Sequence, residues 1–313
     1  PKGVKNLLDT EEKSDGEYSA NNYNASSNLF DGCTALESVK FETAPLAIGG
    51  YAFRNCSSLT SVTAPDGKGN YTQDAFFAAL RTIGGNAFAA TGLEAVNFVD
   101  LERIGASAFS GSAISALTFG KAVEYGGGTN GWAASVFQKC TNLTTVSLPG
   151  QTYFGTGTFN GCTGLTSVTF AKGTTMLSYN ATKPVATSSI NMFKGCTSLT
   201  TVTFEEPVTL IAGSAFEGCE SLTTITNFFG SVETLGSNAL RNTGLTTMTF
   251  DSLENVNTYA LAGNTKLTSV TFKKDLKGKG GSLFSSCTNL TGVTFEGTIP
   301  TNISSVFYNC ASL

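Results

Sequence analysis

Eight cysteines are the chain's first candidates for chemistry: Cys33, Cys56, Cys140, Cys162, Cys196, Cys219, Cys287 and Cys310. Thiols can hold a metal, form disulfides or act as nucleophiles, and each use needs particular neighbours. A zinc site wants two ligands close in sequence and usually histidine, but the chain has no His and no two of these cysteines lie closer than 22 residues. Without His there is also no Ser-His-Asp or Cys-His set. Carboxylates such as Glu11-Glu12 and Glu205-Glu206 are adjacent in sequence, which suits solvated turns better than an opposed acid–base pair. Gly126-Gly127-Gly128 and Gly278-Lys279-Gly280-Gly281 match neither phosphate-binding fingerprint. Sequons such as Asn24-Ala25-Ser26 and Asn180-Ala181-Thr182 are three-residue matches with little specificity. The expectation is a protein that is not an enzyme and uses no cofactor or metal.

All eight cysteines occupy one place in a recurring unit. Phe193-Lys194-Gly195-Cys196-Thr197-Ser198-Leu199-Thr200-Thr201-Val202-Thr203-Phe204 returns almost unchanged at 159–170 and 284–295, giving the pattern F-x-x-C-x-x-L-x-x-V-x-F. Its leading Phe or Leu falls at 30, 53, 88, 109, 137, 159, 193, 216, 240, 261, 284 and 307. Many copies are preceded by I-G-x-x-A, as at Ile48-Gly49-Gly50-Tyr51-Ala52 and Ile83-Gly84-Gly85-Asn86-Ala87. Length alone suggests two domains, but twelve copies at a period near 23 predict one solenoid over 29–313, with 1–28 as an edge or cap segment.

The spacing predicts the local structure. Thr201-Val202-Thr203-Phe204 alternates outward and inward as a half-buried strand does, and its residues favour strands. One unit cannot bury Leu, Val and two Phe alone; stacked about 4.8 Å apart in a parallel sheet, the units turn each apolar place into a continuous column. The A-F-x-G-C half suits a tight turn or short helical piece. In other repeats the cysteine place holds Thr91, Ser112, Thr243 or Asn264, which favours buried, reduced thiols packing as small groups. The cysteine repeats occur in runs of two, four and two, which leaves neighbour pairing arithmetically open.

The pattern I-G-x-x-A-F-x-x-C-x-x-L-x-x-V-x-F resembles the BspA-like class of leucine-rich repeat. The resemblance implies a right-handed, curved solenoid, mainly β with short helical turns, with one short parallel strand per repeat on the concave side. It also implies a secreted or surface-attached protein that adheres to host or extracellular-matrix proteins. The Asn that ordinary leucine-rich repeats carry after the strand is absent: Leu101, Ala122, Pro207 and Leu253 stand there. Other side chains must then satisfy the turn backbone.

Three units are enlarged, at 65–82, 120–136 and 171–192, all between a strand and the next A-F, so all emerge on one edge. They carry Tyr71, Phe76, Phe77, Tyr125, Trp132, Met176 and Tyr179, including the sole Trp. Loops on a rigid scaffold commonly bind partners, which makes Tyr71, Tyr125, Trp132 and Tyr179 the candidate ligand-binding residues. The competing reading is that these aromatics fold back as local plugs. A glycan bound by the same loops and a passive surface spacer are the alternatives to protein adhesion. The outward T-x-T ranks raise ice binding, but Thr is a common soluble strand former, and a curved sheet matches a planar lattice poorly. A net charge of −4 without a basic cluster speaks against nucleic acid, and no apolar run reaches the ~20 residues of a membrane helix. The start at Pro1 fits a processed or trimmed product, and the stop at Leu313, halfway through a unit, predicts that the natural protein continues.

Overall fold

The computed structural model describes residues 6–7, 28–125, 134–151, 154–177, 189–278, 280–299 and 304–313. Its contacts divide the chain into two compact units, Pro1–Pro149 and Gly150–Leu313. Each is a stack of the repeating turns, built mostly of short parallel strands.

In the second unit the V-x-F segments pair in register by repeat. Ser167–Phe170 pairs with Thr201–Phe204 and that with Thr224–Thr226, so Val168, Val202 and Ile225 form one file. Thr247–Phe250, Ser269–Phe272 and Gly292–Phe295 form a second set, with Met248, Val270 and Val293 in file. The first unit repeats the arrangement with Ser38–Lys40 on Ser61–Pro65, and with Ala95–Phe98 on Ala116–Phe119. Register is pinned because a slip of one residue would turn every Val and Phe outward. Along Thr201–Phe204 the two Thr stay half-exposed while Val202 and Phe204 are fully buried.

A second parallel ladder, absent from the sequence expectation, runs through the I-G segments. Asn6–Leu7, Ala47–Ile48, Thr82–Ile83, Arg103–Ile104 and Glu124–Tyr125 form it in the first unit. Met176–Leu177, Leu210–Ile211, Thr234–Leu235 and Asn255–Val256 form it in the second. The glycine of the motif lets successive turns touch: a Cβ on Gly84 would lie 2.3 Å from the Gly50 backbone N. The A-F-x-x-C half is a tight turn, and one seven-residue helix, Gln73–Ala79, is the only helix among the described residues. The turn needs a left-handed residue just before the cysteine. Glycine fills it in half of the cysteine repeats, as at Gly195 (φ 73°) and Gly218 (φ 77°), and Asn55 (φ 59°), Lys139 (φ 58°), Ser286 (φ 62°) and Asn309 (φ 56°) in the others.

The leading Phe column is the core. Phe53, Phe88, Phe109, Phe159, Phe193 and Phe216 are fully buried. Phe159, Phe193 and Phe216 stack with centroids 5.5 Å apart and interplanar angles of 2° and 5°.

The cysteine column does more than fill space. The Cys162 N–H donates to the carbonyl of Phe159 at 3.2 Å, and Cys196 Sγ, one turn later, donates to the same carbonyl at 3.1 Å. Phe193 O receives Cys196 N–H and Cys219 Sγ in the same way, and Phe284 O receives Cys287 N–H and Cys310 Sγ. Both lone pairs of a carbonyl inside the turn are thus satisfied, one from its own turn and one from the next. The substitutes are donors too. Thr91 and Ser112 hydroxyls donate to Phe88 O and Phe109 O, and Asn264 Nδ2 reaches both Leu240 O and Leu261 O.

The thiols are unbridged: Cys56, Cys140, Cys162, Cys196, Cys219 and Cys287 are buried, Cys310 is half-buried and Cys33 is exposed. Burial pushes the Cys140 thiol up to about 11 and Cys287 up to about 12, and raises Cys56, Cys196, Cys219 and Cys310 as well. A raised pKa keeps the thiol protonated at neutral pH, so burial and protonation act together against reaction. Alkylation without reductant should therefore add eight adducts after denaturation, and rapidly no more than two, at Cys33 and Cys310, in the native protein. Zero to two adducts in the denatured protein would mean that the cysteines are bridged. Phe193→Ala should cost about 3–5 kcal/mol by lost burial and a cavity, and Cys196→Ser clearly less because a donor remains. Urea titration of both variants checks the order, and a more damaging Cys196→Ser would contradict it.

Candidate binding surfaces

The candidate surfaces are the outward faces of the strands in each unit and the enlarged segments that carry the candidate aromatics, of which 65–82 is described throughout. On the strands the hydroxyls separate into two classes. Threonines just before a strand are used internally, since Thr200, Thr268 and Thr291 donate to Thr166 O, Thr246 O and Thr268 O at 3.0 Å each. Those pointing out of the strands, such as Thr203, Thr226 and Thr249, make no hydrogen bond among the described residues and face solvent. In the second unit these outward places are Ser167, Thr169, Thr201, Thr203, Thr224, Thr226, Thr247, Thr249, Ser269 and Thr271, without a single charge. Such a face repeats from turn to turn and offers little to distinguish one partner from another.

In the 65–82 unit a hairpin forms as Ala64 and Pro65 pair antiparallel with Thr72 and Tyr71. The helix Gln73–Ala79 follows, capped where the Thr72 hydroxyl accepts the Ala75 N–H at 3.0 Å. The cap fixes the helix so that Phe76 and Phe77 point inward, and both are fully buried. Phe76 packs on Phe41 at 5.1 Å, and Phe77 lies 5.8 Å from both Phe88 and Phe98. These two aromatics are plugs.

Tyr71 behaves differently. It is 37% exposed, its hydroxyl donates to Glu42 at 3.1 Å, and Lys40 Nζ sits 3.4 Å from the centroid of its ring. A cation over the ring face is an attractive contact that orients the side chain. Tyr125 lies in the two-residue strand Glu124–Tyr125, paired with Ile104, in the ladder place that Ile48 and Ile83 hold in earlier turns. Trp132 and Tyr179 lie outside the described residues. Of the four candidates, then, the structure presents Tyr71 as an exposed, pre-oriented side chain and fixes the backbone place of Tyr125. Lys40 and Glu42, the partners that hold Tyr71, were missed by the sequence reading; their signal was placement on and just after the Ser38–Lys40 strand, within reach of a hairpin inserted after the strand of the next turn. No group of three or more His, Cys, Asp or Glu residues suited to a metal ion occurs among the described residues. No described helix is long and apolar enough to cross a membrane.

The family profile described as "BspA type Leucine rich repeat region" matches the chain in six copies, over residues 23–79, 75–184 and 186–313. The chain belongs to the BspA-type leucine-rich repeat family. No curated protein matches this BspA-type chain. Several solved structures are similar to it. One is a leucine-rich repeat protein from Bacteroides ovatus, at 21% identity over 84% of this chain and 80% of that one, with a TM-score of 0.43. Another is a leucine rich cell surface protein from Faecalibacterium prausnitzii, at 20% identity over 89% and 78%, with a TM-score of 0.43. A third is the pneumococcal vaccine antigen PcpA, at 18% identity over 86% and 70%, with a TM-score of 0.45.

The two classes of edge aromatic separate by stability. Phe77→Ala should destabilise the protein by about 3–5 kcal/mol. Tyr71→Ala, losing one exposed hydrogen bond and one exposed cation–π contact, should cost about 1 kcal/mol or less. Urea denaturation measures both, and equal costs would mean that the Tyr71 ring is part of the core.

Proposed function

We propose that this BspA-type chain is a non-enzymatic binding protein, secreted or held at a cell surface, that adheres to a host or extracellular-matrix protein through the aromatic residues of its enlarged units. The observation that carries the reading is the division of labour among its aromatics. Nearly every ring inside the stack is consumed by the core, whereas Tyr71 is kept at the edge and held by Lys40 and Glu42. Tyr and Trp supply large contact area with a hydrogen bond, which is why they dominate binding hot spots. The uncharged hydroxyl face of the strands supports a scaffold role. A sugar stacked on the Tyr71 ring would have to leave Lys40 on the opposite face, so protein contact is favoured over a glycan at this residue.

A screen of matrix proteins and glycans supplies the partner for the test. Trp132→Ala should then weaken binding by about 2 kcal/mol or more, roughly 30-fold, with Tyr71→Ala in the same direction. The double change Thr201→Lys/Thr203→Lys on the strand face should leave binding unchanged. If the lysines abolish binding while the aromatic changes do nothing, the strand face is the site.

A further inference from the structure

At two places a four-residue C-x-x-L turn is followed by a three-residue one. Cys56-Ser57-Ser58-Leu59 is followed by Thr91-Gly92-Leu93, and Cys219-Glu220-Ser221-Leu222 by Thr243-Gly244-Leu245. Both times the shorter turn sits hard against the longer: a Cβ on Gly92 would lie 2.9 Å from Ser57 O, and one on Gly244 2.7 Å from Glu220 O. Both times the strands that come next fail to pair. Ser61–Pro65 and Ala95–Phe98 belong to different sheets, as do Thr224–Thr226 and Thr247–Phe250.

Where strands do pair in register, the N–H at the Val place is aimed at the next turn, towards the carbonyl of the residue before its Val, as Val168 is aimed at Thr201. In the first break one side chain replaces that bond. Gln73, which opens the helix Gln73–Ala79, sets its carboxamide between the strands: Oε1 accepts Val62 N–H at 3.3 Å and Nε2 donates to Ala95 O at 2.7 Å. The second break has the same two groups at the same repeat places, Ile225 N–H for Val62 and Thr247 O for Ala95. No described group bonds to either. Residues 189–278, which carry these two strands and the strands on either side, are described without interruption. Thr224, Thr226, Thr247 and Thr249 stand exposed around the opening, and Ile225 and Met248 beneath them are buried.

We propose that the break between Thr224–Thr226 and Thr247–Phe250 takes a glutamine side chain of a partner protein. Its carboxamide bonds as that of Gln73 does, with Oε1 accepting Ile225 N–H and Nε2 donating to Thr247 O. The two backbone groups are one donor and one acceptor, so the ligand must carry the opposite pair in one group. A carboxylate would set an oxygen against Thr247 O, an ammonium would set protons against Ile225 N–H, and an aliphatic chain would satisfy neither. The uncharged threonines around the opening suit a neutral group. This contact does not involve Tyr71 or the other aromatic candidates, and it holds or fails independently of them.

Amide NMR of the isotope-labelled chain, titrated with N-acetylglutamine N′-methylamide, tests this. The glutamate and methionine derivatives, which share its main-chain amides, are the comparison. The glutamine derivative should give saturable shifts at the N–H groups of Ile225 and Met248, the second reporting on the Thr247 carbonyl. Val62, held by Gln73, should not move. The two comparison derivatives should bind at least about tenfold more weakly, because each leaves one or both backbone groups unmet. Absence of a saturable shift at Ile225 up to hundreds of millimolar overturns the proposal. So do equal shifts from either comparison derivative, which would mean that the carboxamide is not what binds, or equal movement of Val62, which would mean a general solvent effect.

Discussion

A carbonyl buried inside a turn must have its hydrogen bonds met, and the whole stack follows from how this is done at the leading Phe. Where cysteine turns follow one another, its oxygen takes one bond from the cysteine N–H of its own turn and another from the thiol of the next. An unmet buried acceptor costs roughly 1–3 kcal/mol, so a turn without its neighbour is penalised in polar as well as apolar terms. The same geometry places Phe53, Phe88 and Phe109 in one unit, and Phe159, Phe193 and Phe216 in the other, ring on ring at about 5–5.5 Å. Polar and apolar coupling therefore run along the same axis and in the same register. The rung-to-rung ion pairs Lys273–Asp251 and Lys277–Glu254 are exposed additions of small worth.

Much of this was legible in the residues. The V-x-F alternation gave the strands, and the repeated Phe, Leu and Val places gave the columns. The cysteine place shows where reading by size stops short. Cys, Thr, Ser and Asn are all small, but they are also all donors, and the apolar small residues Ala and Val never take the place in the twelve repeats. That second regularity points to a hydrogen bond, and the structure supplies its acceptor.

The enlarged units were harder to read for a different reason. Phe76 and Phe77 arrive in the same insertion as Tyr71, and composition does not say which way each ring turns. The direction is set by the Thr72 cap and the helix it starts, which carry both Phe rings into the space between Phe41, Phe88 and Phe98. Tyr71 precedes the cap, so it stays on the hairpin and outside. The second ladder was hidden as well: two-residue strands such as Ala47–Ile48 are too short to show a period, and only stacking reveals them. In this insertion the fold keeps Tyr71 outside while both Phe rings are buried, and that exposed ring is what directs a binding reading there.

A double-mutant cycle on stacked rings measures the neighbour coupling most directly. Phe193→Leu and Phe216→Leu replace touching rings with a residue already used at Leu240 and Leu261, so the turn stays filled. Their coupling energy should be about 0.5–1.5 kcal/mol, whereas Phe159→Leu with Phe216→Leu, two turns apart, should be additive within about 0.5 kcal/mol. Equal coupling for both pairs, or none for the touching pair, would contradict a stack held together turn on turn.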